Sequence, residues 1–140
     1  MAENSERTVA IERTGLHTFR ATNDRGATLD FGDGSSPDFS PVELLLVAIA
    51  GCTALDVEYI TGKRAEPDRF DVHVRADKVR DDDGNHLTGI ELRFAVEFPD
   101  GAGGDAAREV LPSAVQRSHD RLCTVSRTVE LGTPVAVRIA

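Results

Sequence analysis

The run Leu44-Leu45-Leu46-Val47-Ala48-Ile49-Ala50 constrains this chain more than any other feature. It is apolar at every position, so as a helix it has no face to give to water and has to be covered on all sides. The residues before it favour helix. Ser40 has N-cap chemistry, Pro41 suits the first helical position, and Glu43 stands where a capping box needs a carboxylate. The helix is expected to reach about Thr61, with Gly62 able to take a left-handed C-cap. The chain has 140 residues, expected as one domain over 1–140. A chain of that length has a modest interior, so full cover for such a helix calls for a second subunit.

The other elements read from period and punctuation. Val9–Arg13 and Leu16–Thr22 are β-rich runs around Gly15, a hairpin, with Ala27–Phe31 as a third strand. Residues 30–41 carry the Gly, Ser, Asp and Pro of a loop. Phe70, Val72, Val74 and Ala76 alternate with Asp71, His73, Arg75 and Asp77, and residues 90–98 alternate in the same way. With turn chemistry at 80–85 this predicts an antiparallel hairpin with one wet face. Asp105 is placed to cap a second helix running to about Leu122, with Pro112 kinking it. A short helix is expected over 124–131 and a closing strand over 134–139. The fold class is therefore α+β, long helices packed against curved antiparallel sheets.

Charge narrows the partners. The formal net charge is −8, which argues against nucleic acid and against an anionic membrane surface. The N-terminal residues are polar, without the apolar stretch of a signal peptide, and residues 44–50 alone are too short to span a bilayer. The expected location is the cytoplasm, where thiols stay reduced. Two cysteines there are catalytic, metal-bound or inert rather than a structural staple.

Cys52, within the apolar helix, reads either as a small core residue or as a nucleophile. Cys123, just before a short helix, reads either as packing or as a thiol whose pKa the helix start lowers. Asp56 shares a helix face with Cys52; a close carboxylate would raise the thiol pKa, so another partner for it, such as an arginine, is expected. His119 stands four residues before Cys123. It is a candidate base or half of a metal site, against the plainer reading of a helix-surface histidine. Zinc would need two more ligands, and His17, His73 and His86 show no ligand spacing; no metal and no cofactor are expected. Asp81, Asp82 and Asp83 lack the companions of a calcium loop and read as a solvated turn.

Two stretches carry a family resemblance. Ser40-Pro41-Val42-Glu43-Leu44-Leu45-Leu46 through Gly51-Cys52 resembles the first signature of the OsmC/Ohr family. His119-Asp120-Arg121-Leu122-Cys123-Thr124-Val125-Ser126-Arg127 resembles the second, and Gly132-Thr133-Pro134-Val135 also fits. The resemblance covers essentially the whole chain, in a branch with a Ser-Pro-x-Glu-Leu-Leu form. It implies an intertwined homodimer that reduces small hydroperoxides. Cys52 would attack the O–O bond and become a sulfenic acid, Cys123 would resolve it to a disulfide, and an external dithiol would reduce the pair. Ala21-Thr22-Asn23-Asp24-Arg25 matches the family's arginine segment, which makes Arg25 the candidate to favour the Cys52 thiolate; otherwise it is an exposed loop arginine.

The pattern departs at Val42, where the family's peroxidases carry the glutamate that holds the arginine, and at Thr124, where many relatives have proline. Glu43 is no simple replacement. Nine residues from Cys52, it falls on the opposite helix face about 13 Å along the axis, and reads as a capping residue. The competing functions are a dimeric small-molecule-binding protein and a redox sensor.

Overall fold

The computed structural model describes residues 4–140; the first three, part of the polar N-terminal stretch, lie outside the described residues. The chain divides into two compact units, one ending at Leu45 and one running from Leu46 to Ala140.

The first unit is a three-stranded antiparallel sheet in the order β1-β2-β3, with β1 at Val9–Gly15, β2 at Thr18–Asn23 and β3 at Thr28–Gly32. Phe19 opposes Phe31 in the β2–β3 register, and their rings stack with centroids 5.9 Å apart. The β2–β3 turn is an Asx turn. Asn23 Oδ1 accepts the backbone N–H groups of Arg25 and Ala27, each at 3.0 Å. The unit closes on the start of helix α1 (Pro41–Thr61), and the capping box forms. Ser40 N–H donates to Glu43 at 2.9 Å, and Glu43 N–H donates to Ser40 Oγ at 3.3 Å.

In the second unit α1 continues past Cys52 and buries Ile49, Ala50, Thr53, Val57 and Thr61. The helix stops without a left-handed cap, because Gly62 is not among the positive-φ glycines. Glycine is needed there for a different reason: a Cβ would lie 2.7 Å from the Glu58 carbonyl oxygen, which accepts the Gly62 N–H. Taken whole, α1 is long and apolar enough to cross a membrane by length and composition. The run at 44–50 alone did not indicate that. Within this chain the helix instead lodges a polar side chain, Asp56, against Ser118.

Strands β4 (Arg69–Asp81) and β5 (Gly84–Glu97) form the long hairpin, tighter at its turn than the composition of 80–85 indicated. Asp81 Oδ1 accepts the N–H groups of Asp83 and Gly84, and Gly84 sits at φ 129°, so the strands continue to the turn itself. The inner row pairs Phe70 with Val96, Val72 with Phe94 and Val74 with Leu92, and the Phe70 and Phe94 rings meet edge to face.

Helix α2 (Ala102–Arg117) begins at Gly101, with φ 113°, rather than at Asp105. Asp105 lies inside the first turn and pairs with Arg108. Pro112 is accommodated within α2, and the change of helical winding comes later, at a π turn over Ser118–Leu122. Helix α3 (Thr124–Glu130) follows. Residues 134–139 form no strand in the single chain. A strand needs a neighbour to receive its backbone hydrogen bonds, and Val135, Val137 and Ile139 stand exposed.

Candidate functional site

The second unit brings two thiols and a carboxylate together from three places in its sequence. Cys52 and Asp56 project from consecutive turns of α1, and Cys123 comes from the junction between the π turn and α3. One donor atom from each, Sγ, a carboxylate oxygen and Sγ, all lie within 4.8 Å of one another. Both cysteines are free thiols, Cys52 half-buried and Cys123 fully buried.

Local backbone geometry aims Cys123. Its N–H donates to the Ser118 carbonyl at 2.9 Å, the wide hydrogen bond that closes the π turn. At φ −73° and ψ 101° it leaves helical space and acts as the N-cap of α3, its sulfur accepting the Ser126 N–H at 3.3 Å. The Ser126 hydroxyl is also 3.3 Å from that sulfur; it receives the thiol hydrogen, and can turn to donate once the thiol has ionised.

These contacts split the two thiols. Burial pushes Cys123 up, but donors from the Ser126 hydroxyl, the Ser126 N–H, Thr53 and Cys52 outweigh it and leave the thiol below its ordinary value. Burial also pushes Cys52 up; the Val125 N–H only partly offsets it, and the neighbouring Cys123 and Asp56 push it further.

The partner of Asp56 is a hydroxyl, where an arginine was expected. Ser118, fully buried, donates to Asp56 Oδ2 at 2.8 Å. His119 is drawn away from Cys123. The π turn breaks the α-helical phase that would have stacked the two, and the imidazole lies 3.0 Å from Asp120 and 3.2 Å from Glu130. Those carboxylates, Asp120 first and against a small burial effect, raise its pKa. Arg25 belongs to the first unit, in the β2–β3 turn with an exposed side chain, and Glu43 serves as the capping residue. The Ser40 backbone and hydroxyl donors hold the Glu43 carboxyl below its usual range.

A cavity of about 490 Å³ lies within the second unit, lined by neighbours of the thiols rather than by the thiols themselves. Ile49, Leu92, Phe94, Val115 and Val129 give it an apolar wall, and His119 and Glu130 supply charge. Thr53 and Ser126 also line it, and Ser126 is hydrogen-bonded to Cys123. Reasoning from sequence missed Ser118, Thr53 and Ser126. Only Ser126 left a signal, standing three residues after Cys123 at capping distance.

Comparison with known proteins agrees with this architecture. Protein YhfA of Escherichia coli is 34% identical over 101 residues, covering 70% of this chain and 71% of its own. An OsmC-like protein of unknown function from Vibrio cholerae superposes with a TM-score of 0.75 at 16% identity, covering 91% of this chain and 95% of its own. The organic hydroperoxide resistance protein OhrB of Bacillus subtilis superposes at 0.53 with 19% identity, covering 89% and 90%. At these identities the two structures speak for the fold alone. The family described as OsmC-like protein matches residues 32–138, a span that holds both thiols, and the chain belongs to that family.

Proposed function

We propose that this protein is a thiol-dependent peroxidase that reduces small organic hydroperoxides or hydrogen peroxide in defence against oxidative stress. The observation that carries the reading is the pair of free thiols, drawn together from α1 and the start of α3 beside an apolar cavity. The Bacillus relative of the same fold is named for organic hydroperoxide resistance.

Cys52 is the attacking thiol because it is the reachable one. Its thiolate displaces an alkoxide from the O–O bond; a proton completes the alcohol, and the sulfur, oxidised, becomes a sulfenic acid. Cys123, with its donor set, is the more acidic of the two thiols. It attacks the sulfenic sulfur, hydroxide leaves and takes a proton as water, and a Cys52–Cys123 disulfide remains for an external dithiol to reduce. Ionising Cys52 beside Asp56 and Cys123 calls for a cation, the role proposed for Arg25.

The protein works, in this reading, as an intertwined cytosolic homodimer. Support comes from the apolar residues α1 leaves exposed, Leu55 at 57% and Tyr59 at 75%. The test is consumption of cumene hydroperoxide with a dithiol reductant. Turnover by the wild type, none by Cys52→Ser, and a sulfenic acid stalled in Cys123→Ser support it. No consumption by folded protein with both thiols reduced overturns it. The apolar cavity then favours the second reading, a binding protein for small apolar molecules, checked by displacement of a fluorescent fatty-acid probe.

A further inference from the structure

We propose that Cys52, Asp56 and Cys123 form a binding site for a thiophilic divalent cation of the zinc class. Reasoning from sequence set metal aside because His119 was the only residue at ligand spacing from Cys123. The fold replaces that histidine with a thiol and a carboxylate from α1, which no spacing rule connects to residue 123.

Three features carry the inference. First, tetrahedral zinc with bonds of about 2.3 Å to sulfur and 2.0–2.2 Å to oxygen sets its ligand atoms roughly 3.3–3.8 Å apart. The three donors here lie within 4.8 Å of one another, a gap that side-chain rotation closes. Second, two of the ligands are already held by neighbours. Ser118 donates to Oδ2 of Asp56 and leaves Oδ1 for the ion, and the Ser126 N–H holds the Cys123 sulfur. Such supporting hydrogen bonds orient ligands and stabilise their anionic forms. Third, no lysine, arginine or histidine of residues 46–140 pairs with Asp56. Two thiolates and a carboxylate in that space would carry three negative charges, and a divalent cation offsets two of them.

Binding releases the two thiol protons to solvent and oxidises nothing. Three protein ligands leave the fourth position to water. A bound ion holds both sulfurs as thiolates and keeps them from closing the disulfide. The site does not depend on peroxide turnover, so either proposal can fail alone.

The test uses the reduced full-length chain, freed of metal by a chelator, titrated with cobalt(II) and then competed with zinc. One equivalent of cobalt should give a thiolate-to-cobalt charge-transfer band in the near ultraviolet, which zinc abolishes. Cys52→Ser and Cys123→Ser should each remove or halve the band. Asp56→Asn and Ser118→Ala should each weaken binding by about 10- to 100-fold. Absence of the band in the reduced wild type overturns the site. So does a band whose affinity is the same in folded Ser118→Ala and Asp56→Asn as in the wild type. If Asp56→Asn does not fold, Ser118→Ala and the wild-type band decide.

Discussion

Ser118 donates its hydroxyl hydrogen to Asp56 at 2.8 Å, joining the end of α2 to the middle of α1 across 62 positions of sequence. The donor is fully buried and the acceptor is a carboxylate beside two sulfurs. The bond therefore fixes where the site's carboxylate points and ties together the two segments that carry the thiols.

Ser118→Ala removes that donor without adding bulk. A buried hydrogen bond to a charged group contributes about 1.5–3 kcal/mol, and the variant should lose that much in urea unfolding. An unchanged midpoint would show that water replaces the hydroxyl at no cost.

Ser126→Ala takes a donor from Cys123. In metal-free, reduced protein with Cys52→Ser as background, the pH at which iodoacetamide begins to alkylate residue 123 should move upward. The Ser126 donors are what hold that thiol down against its burial. A profile that does not move would assign the lowering to the Ser126 N–H and Thr53.

His119 gives a pH dependence of known sign. Its folded-state pKa is raised by Asp120 and Glu130, so the charged imidazole contributes stability in full below the ordinary value near 6.5. That contribution is lost as pH rises through the higher folded value. The side chain is 57% exposed, so screening limits the effect to about 0.5 kcal/mol or less. The wild type should lose stability relative to His119→Gln as pH rises above about 6.5. A constant difference across that range would remove the ion pairs from the account.

Gly104→Ala should be among the most damaging single substitutions. The added Cβ would run into the Pro99 carbonyl oxygen, a backbone atom that cannot rotate aside. A loss of about 3 kcal/mol is expected, read from thermal unfolding. A variant as stable as the wild type would mean that α2 shifts freely at its start.

Leu55→Asp places a charge on the exposed apolar side of α1. It should convert the proposed dimer to monomer in light scattering after size exclusion while leaving far-ultraviolet dichroism unchanged. A wild type that is already monomeric at micromolar concentration would sink the dimer.

Reading from sequence succeeded where the determinants are local. Ser40, Pro41 and Glu43 mark the start of α1 because a capping box is made within four residues. The hairpin follows because the β4–β5 partners alternate on the same two-residue period. It failed where a residue's partner is distant in sequence. Nothing around Asp56 announces Ser118, and nothing around Gly62 announces that contact with Glu58, rather than a left-handed turn, is what needs glycine there. The site was half legible. The resemblance named the two cysteines, but the split in their acidity comes from Thr53, Val125 and Ser126, whose roles exist only once α1 and α3 meet.

The π turn gives chain length an unusual importance. An α-helix closes each hydrogen bond over four residues, whereas the Cys123 N–H reaches back five, to Ser118. One residue is thus surplus to ordinary winding. The widened turn absorbs that residue, so Cys123 stands close to where the fourth residue after Ser118 would stand in a regular helix. The same residues wound as ordinary α-helix would carry it about 100° further around the axis, out of reach of Cys52 and Asp56.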